Sequence, residues 1–218
     1  IYGNSTGATV NIDSTGGIAA GNLIAGALQS AAGAVTGFVG SAVSAAGDFQ
    51  TSMSVMQVAS GATSAEMDQM RSLAVALGND MALPGASAQD AATAMLELSK
   101  AGLSVNDTMG AAKGTLQLAA AAETDAATAA GVVAGALNAF GMEGSQAIVV
   151  VDQLAGAANA SQANITDLAN GFQQAGFAFN AGNQSAADLS TSLAALTKVG
   201  LTGADSGTAL KNAMLALM

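Results

Sequence analysis

Three serines are each followed three positions later by an aspartate, Ser87 with Asp90, Ser104 with Asp107 and Ser185 with Asp188. A serine beside an acid invites a search for an activated nucleophile, and activation needs a base. The sequence contains no histidine and no cysteine, which removes the usual groups for proton transfer, thiol attack and soft-metal ligation. A lysine route would require Lys113 to meet a serine across the fold, and the linear spacing brings none to it. Carboxylates recur at Glu66 with Asp68 and at Glu123 with Asp125, but two residues apart on a helix they diverge by about 200°, so neither pair converges on one atom. The chemistry that fits these spacings is structural. A serine and an acid three residues on satisfy the free amides of a helix start and place negative charge where the dipole favours it. We therefore expect a non-enzyme with no catalytic, cofactor-binding or metal site and no cofactor.

Capping pairs imply helices to cap, and the chain divides accordingly. Residues 1–16 are rich in Gly, Ser, Thr and Asn and read as an extended polar segment. Residues 17–47 read as a Gly/Ala-rich packing helix: no charge appears between Asp13 and Asp48, and Ile24, Leu28, Val35, Phe38, Val39 and Phe49 fall in one stripe roughly 100° wide. Gly26, Gly33, Gly37 and Gly40 occupy the opposite side, where each glycine costs about 1 kcal/mol relative to alanine unless a second backbone approaches closely. The stripe and the glycine face are the candidate assembly residues. The run is long enough to span a bilayer, but Asn22, Gln29, Ser30, Thr36, Ser41 and Ser44 dilute its hydrophobicity.

From residue 48 to 218 the pattern changes to short helices opened by small polar residues and closed by glycine, a multi-helix domain whose C-terminal boundary looks cut, since residues 209–218 read as helix with no stop. Met53, Met56, Met67 and Met70 follow helical spacing as core filler. Starts are expected at Thr63, Ser87, Ser104, over Glu123-Thr124-Asp125, at Ser145, at Ile165 and at Ser185, with stops near Gly61, Gly78, Gly102, Gly141 and Gly176. Phe172, Phe177 and Phe179 beside Gly176 form the aromatic cluster, a packing anchor with a partner contact as the alternative. The stretch SAQDAATAMLELSKAGLSVND (87–107) aligns without gaps to SAADLSTSLAALTKVGLTGAD (185–205), and it keeps the cap serine, the aspartate and the Lys-x-Gly-Leu exit, which reads as an internal repeat. The expected fold class is all-α: one long Gly/Ala-rich amphipathic helix followed by a bundle of short helices containing an internal repeat.

Composition limits what such a fold can do. Charged residues make up 9% of the chain against roughly 25% in an ordinary soluble domain, so its surface expects neighbours. The five basic residues are scattered singly in a chain of net charge −10, which argues against direct nucleic-acid binding. Aromatics are 3% and alanine supplies much of the apolar content, so little area is buried per residue.

From Asp48 onward the sequence resembles the helical N-terminal region of tape measure proteins of tailed bacteriophages. The resemblance is carried by Asp48-Phe49-Gln50-Thr51-Ser52-Met53, Ser60-Gly61-Ala62-Thr63, the helix from Ser87 to Gly102, Gly114-Thr115-Leu116-Gln117-Leu118-Ala119-Ala120-Ala121, Ala136-Leu137-Asn138-Ala139-Phe140-Gly141 and Gly207-Thr208-Ala209-Leu210-Lys211. It implies a structural virion protein that helps template tail tube assembly and length and leaves the tube at infection. It also implies the tail tube lumen as location, with the host cytoplasm during assembly. The partners implied are other copies of itself as a homo-oligomer, tail tube protein, tail tip or baseplate proteins and tail assembly chaperones, with membrane contact during ejection. The rival reading is a membrane-active or pore-forming helical protein acting through helix 18–46.

Overall fold

The computed structural model describes residues 47–218 other than Pro84 and Gln162. The expected polar segment 1–16 and all but the last residue of the packing helix expected over 17–47 lie outside the described residues. Among the described residues the chain is all-α. Helix α1 spans 47–60, followed by α2 (Ser64–Gly78), α3 (Ala88–Lys100), α4 (Val105–Ala121), α5 (Ala126–Phe140), a 3-10 turn at Gly144–Gln146, α6 (Ala147–Ser161), α7 (Ile165–Ala181), α8 (Ala186–Lys198) and α9 (Gly203–Leu217).

Side-chain caps start most of these helices. Thr63 with Glu66, Ser87 with Asp90 and Ser185 with Asp188 form reciprocal capping boxes on α2, α3 and α8. Asp125 caps α5 through the Thr128 amide, and Asn164 caps α7 through that of Thr166. Ser104 caps α4 without a reciprocal box, and its aspartate reaches a second element. Asp107 Oδ2 accepts from the Ser104 hydroxyl at 2.6 Å, while Oδ1 accepts from the Gly144 amide at 2.8 Å, tying the start of α4 to the 3-10 turn ahead of α6.

The exits are more uniform than the starts. Gly102, Glu123, Gly141, Asn183 and Gly200 end α3, α4, α5, α7 and α8 in the left-handed region, at φ 90°, 50°, 61°, 58° and 91°. After each, the next amide reaches back to a carbonyl five residues earlier, Leu103 to Leu98, Thr124 to Ala119, Met142 to Leu137, Gln184 to Phe179 and Leu201 to Leu196, at 2.8–3.2 Å. The residue after that is the cap of the following element: Ser104, Asp125, Glu143, Ser185 or Thr202. One three-residue corner, a left-handed residue, a linker and a cap, is thus used five times. The stretches 87–107 and 185–205 share this corner and a helix of 13 residues each.

Corners this short fold each helix back on the last, and the chain builds two rows. Besides its sequence neighbours, each helix packs mainly on the one two places away: α3, α5, α7 and α9 lie side by side in one row, and α4, α6 and α8 in the other, with α2 against α3 and α4 at the start. The core lies between the rows. One cluster joins Met53, Met56, Met67, Met70 and Met95 to the alanines of α3; the other gathers Leu98, Leu118, Val133, Leu154, Phe172 and Leu189. Alanine fills the space between these larger residues, so helices approach closely and the buried hydroxyls of Thr115, Ser161 and Ser190 can donate to carbonyls one turn back in their own helices.

Helices α7 and α9 approach closely. A Cβ on Gly207 would fall against the backbone of Gly171, 2.7 Å from its Cα, and one on Gly171 would meet the Gly203 carbonyl at 3.1 Å and Leu193 at 2.6 Å. The spacing Gly203-x-x-x-Gly207 that permits this is the small-residue pattern of close helix pairs.

The structure corrects several sequence-based boundaries. Gly176 is not a stop: it sits inside α7, where a Cβ would lie 3.0 Å from Ala139 Cβ and 3.4 Å from the Phe140 ring, and the helix runs on to Ala181. Glu123 belongs to the exit of α4 rather than the start of α5, because the cap is Asp125. The start expected at Ser145 falls within the 3-10 turn, and α6 begins at Ala147.

These contacts set three expectations. Gly207→Ala should destabilise the domain by roughly 1–3 kcal/mol through overpacking, whereas Gly131→Ala, with open space around its Cβ, should stabilise it by about 0.5–1 kcal/mol; thermal unfolding of the two variants checks the opposite signs. Glu123→Gly should stabilise by about 1 kcal/mol, since a side chain held at φ 50° gives way to the residue that tolerates it, and denaturant titration measures this. Stability should also fall in acid. Hydrogen bonds from Gly144 and Ser104 hold the Asp107 carboxyl below its usual range; Ser185 does so for Asp188, the Thr128 amide for Asp125 and Thr63 for Glu66. With folded-state values depressed, the unfolded chain takes up protons first, so the contribution is complete at neutral pH and is lost as pH falls through about 4 and below. Melting temperature against pH should be flat near neutrality and drop there.

Candidate assembly surfaces

The residues that raised the question of chemistry are used up in structure. Ser87, Ser104 and Ser185 are bound to their own aspartates. Lys113 Nζ lies 2.9 Å from Asp80 Oδ2, joining α4 to the connection before α3, and this bond is the main cause holding the Asp80 carboxyl below its ordinary range. Glu66 turns back to Thr63 while Asp68 pairs with Arg71 at 2.9 Å, so that carboxylate pair diverges. No group of histidine, cysteine, aspartate and glutamate able to hold a metal ion occurs among the described residues.

The depressions on the surface follow from small side chains rather than from a built site. One runs between α6 and α8, floored by Ala157, Ser190 and Ala194 and edged by Gly156, Ala187 and Thr191. Another lies against α4, lined by Leu83, Ala86, Leu116 and Ala120. Lys198 also lines the first, where the Ser190 and Thr191 hydroxyls donate to the Ala186 and Ala187 carbonyls of their own helix. No described helix is long and apolar enough to cross a membrane.

The expected assembly residues Ile24, Gly26, Leu28, Gly33, Val35, Gly37, Phe38, Val39 and Gly40 lie outside the described residues. The aromatic cluster is divided. Phe172 and Phe179 are buried, and Phe172 packs on Phe140 with ring centroids 5.5 Å apart, whereas Phe177 is 75% exposed on the outer face of α7. Any partner contact from this cluster therefore belongs to Phe177, and the other two are core.

Exposed large apolar side chains are unevenly placed along the array. Val55, Val58, Val75 and Met81 stand on α1, α2 and the connection that follows; Val199, Leu201, Leu215 and Leu217 stand on α9 and the corner before it. Between them only Ile148, Val149 and Phe177 are comparably exposed among the described residues. Sequence periodicity did not single out these end residues, because the same spacing serves buried and bare faces alike.

Residues 71–218 match the family described as phage-related minor tail protein. The chain is 33% identical over 178 residues to the tape measure protein of Pneumococcus phage Dp-1, an alignment that takes in 82% of this chain and 15% of that protein. No solved structure matches.

Proposed function

Because the chain belongs to the phage-related minor tail protein family, that of the phage tail tape measure proteins, and is thereby a structural component of the virion tail, we propose that it is a compact packing module of a tape measure polypeptide. In this reading the whole protein helps template tail tube assembly and length and leaves the tube at infection. It does so from the tube lumen, after assembly in the host cytoplasm, in contact with tube protein, tip or baseplate proteins, assembly chaperones and other copies of itself. The module has no catalytic part in this.

The observation that carries the proposal is the conjunction of relationship and geometry. The chain spans about 15% of the length of the tape measure relative it matches, and its described part is folded into short helices. A ruler needs long unbroken helix at 1.5 Å per residue; helices of 13–17 residues doubled back at every corner contribute little length. Measuring then falls to other parts of the polypeptide, and docking or initiation falls to this one. The thin, alanine-rich core also suits a domain that must unfold to pass along a tube.

An in-frame deletion of residues 88–218 from the phage's tape measure gene tests the assignment. Tails should be absent or aberrant by electron microscopy. Well-formed tails shortened by about 1.5 Å per deleted residue would make the segment a ruler instead, and unchanged tails would remove it from assembly altogether.

A further inference from the structure

We propose that α1, α2 and the first half of α3 form a cooperative unit of their own, which opens and closes while the helices from α4 onward stay folded. Only the use given to this unit rests on the reading of the chain as a module that unfolds to pass along a tube; the division itself follows from the interior.

Two sets of buried apolar side chains fill that interior, and they share no residue. The boundary crosses α3 between Leu96 and Leu98. In α4 it runs along the helix: Ala112 and Leu116, one turn apart, belong to the first set, and Ala111 and Leu118, two turns apart on another face, belong to the second. Helix α5 gives the first set Ala126 and the second everything else it buries there. Polar ties sort the same way, with α4 as the common wall. On one side Lys113 binds Asp80 at 2.9 Å, and Gln89 of α3 donates to Ser52 of α1 at 2.9 Å. On the other, Asp107 holds the Gly144 amide at 2.8 Å.

The two interiors also differ in kind. The first is built of methionine, leucine and alanine, with Met53, Met56, Met67, Met70 and Met95 supplying its bulk. The second adds Phe172 and Phe179 and the valines Val132, Val133, Val150 and Val151. Burying a methionine freezes three rotatable bonds at an entropic cost roughly twice that of leucine, and its thioether fills gaps without fixing one arrangement. Valine and phenylalanine have fewer rotamers to lose. A methionine-filled unit joined to the rest through α3 and one face of α4 is therefore the part with the lower free energy of opening. In passage along a tube, this N-terminal side can be drawn out as a short first stage before the second core yields.

Native-state hydrogen exchange of the full chain, read by mass spectrometry of peptides, tests the division. Mid-helix amides of α2 should exchange faster than those of α6, α7 and α8. Met70→Ala, at a fully buried site, should speed exchange about thirtyfold or more through α1, α2 and the start of α3 while leaving α6–α8 unchanged. Leu154→Ala should do the reverse. A Met70→Ala chain whose α1 and α2 are unfolded outright while α6–α8 stay protected supports the division equally. Equal protection throughout the parent chain overturns it, as does either variant speeding exchange alike in all helices. Uniform exchange combined with loss of tails on deletion would discard the separate unit and keep the tail role; divided exchange with unchanged tails would keep the unit and discard its use.

Discussion

The corner of left-handed residue, linker and cap is the constraint from which the rest of the structure follows. It satisfies the last carbonyls of one helix and the first amides of the next within about six residues, so each junction is closed without help from distant parts of the chain. A connection that short leaves the next helix nowhere to go but back along its predecessor. Repetition with helices of similar length then gives two rows, and the rows give an interior that only small side chains can fill at close spacing. Alanine, glycine and hydroxyl-bearing residues are therefore requirements of the corner as much as features of composition.

Packing of this kind trades buried area for proximity. Where α7 and α9 meet at Gly171 and Gly207, the gain comes from many close contacts at short range rather than from bulk. Larger residues are spaced out as pins, Phe172 and Leu154 in one cluster and Met56 and Met70 in the other. The three ion pairs of the described residues are all partly exposed and contribute little. Carboxylates matter more as caps, and Asp107 shows how one group can serve both its own helix and a neighbouring turn.

Much of this was legible in the sequence, for a physical reason. A cap is a local device, and Thr63 with Glu66, Ser87 with Asp90 and Ser185 with Asp188 announce helix starts by residue type and spacing alone. Exits were harder to read. Glycine has two uses, to adopt positive φ and to admit a neighbour, and the residue type does not say which; Gly141 does the first and Gly176 the second. Where Glu123 and Asn183 take the left-handed position instead, no glycine marks it. The stacking of helices two apart was not legible at all, since alanine on several faces of a helix points to no single partner. Exposure escaped notice for a related reason: Leu103 and Leu201 occupy the same place in matching stretches, yet one is buried and the other partly exposed, and spacing alone does not separate them.

Because each helix depends chiefly on its nearest two predecessors, the array has an order in time as well as in space. A ribosome releasing the chain from its N-terminal side would supply each helix from α3 onward with earlier helices to pack against, so folding can keep pace with synthesis without waiting for distant sequence. The same dependence runs in reverse under tension. Pulled from its C-terminal side, the chain would surrender α9, then α8, then α7, each departure exposing the next, and structure would be lost in the opposite sequence to that in which it was gained.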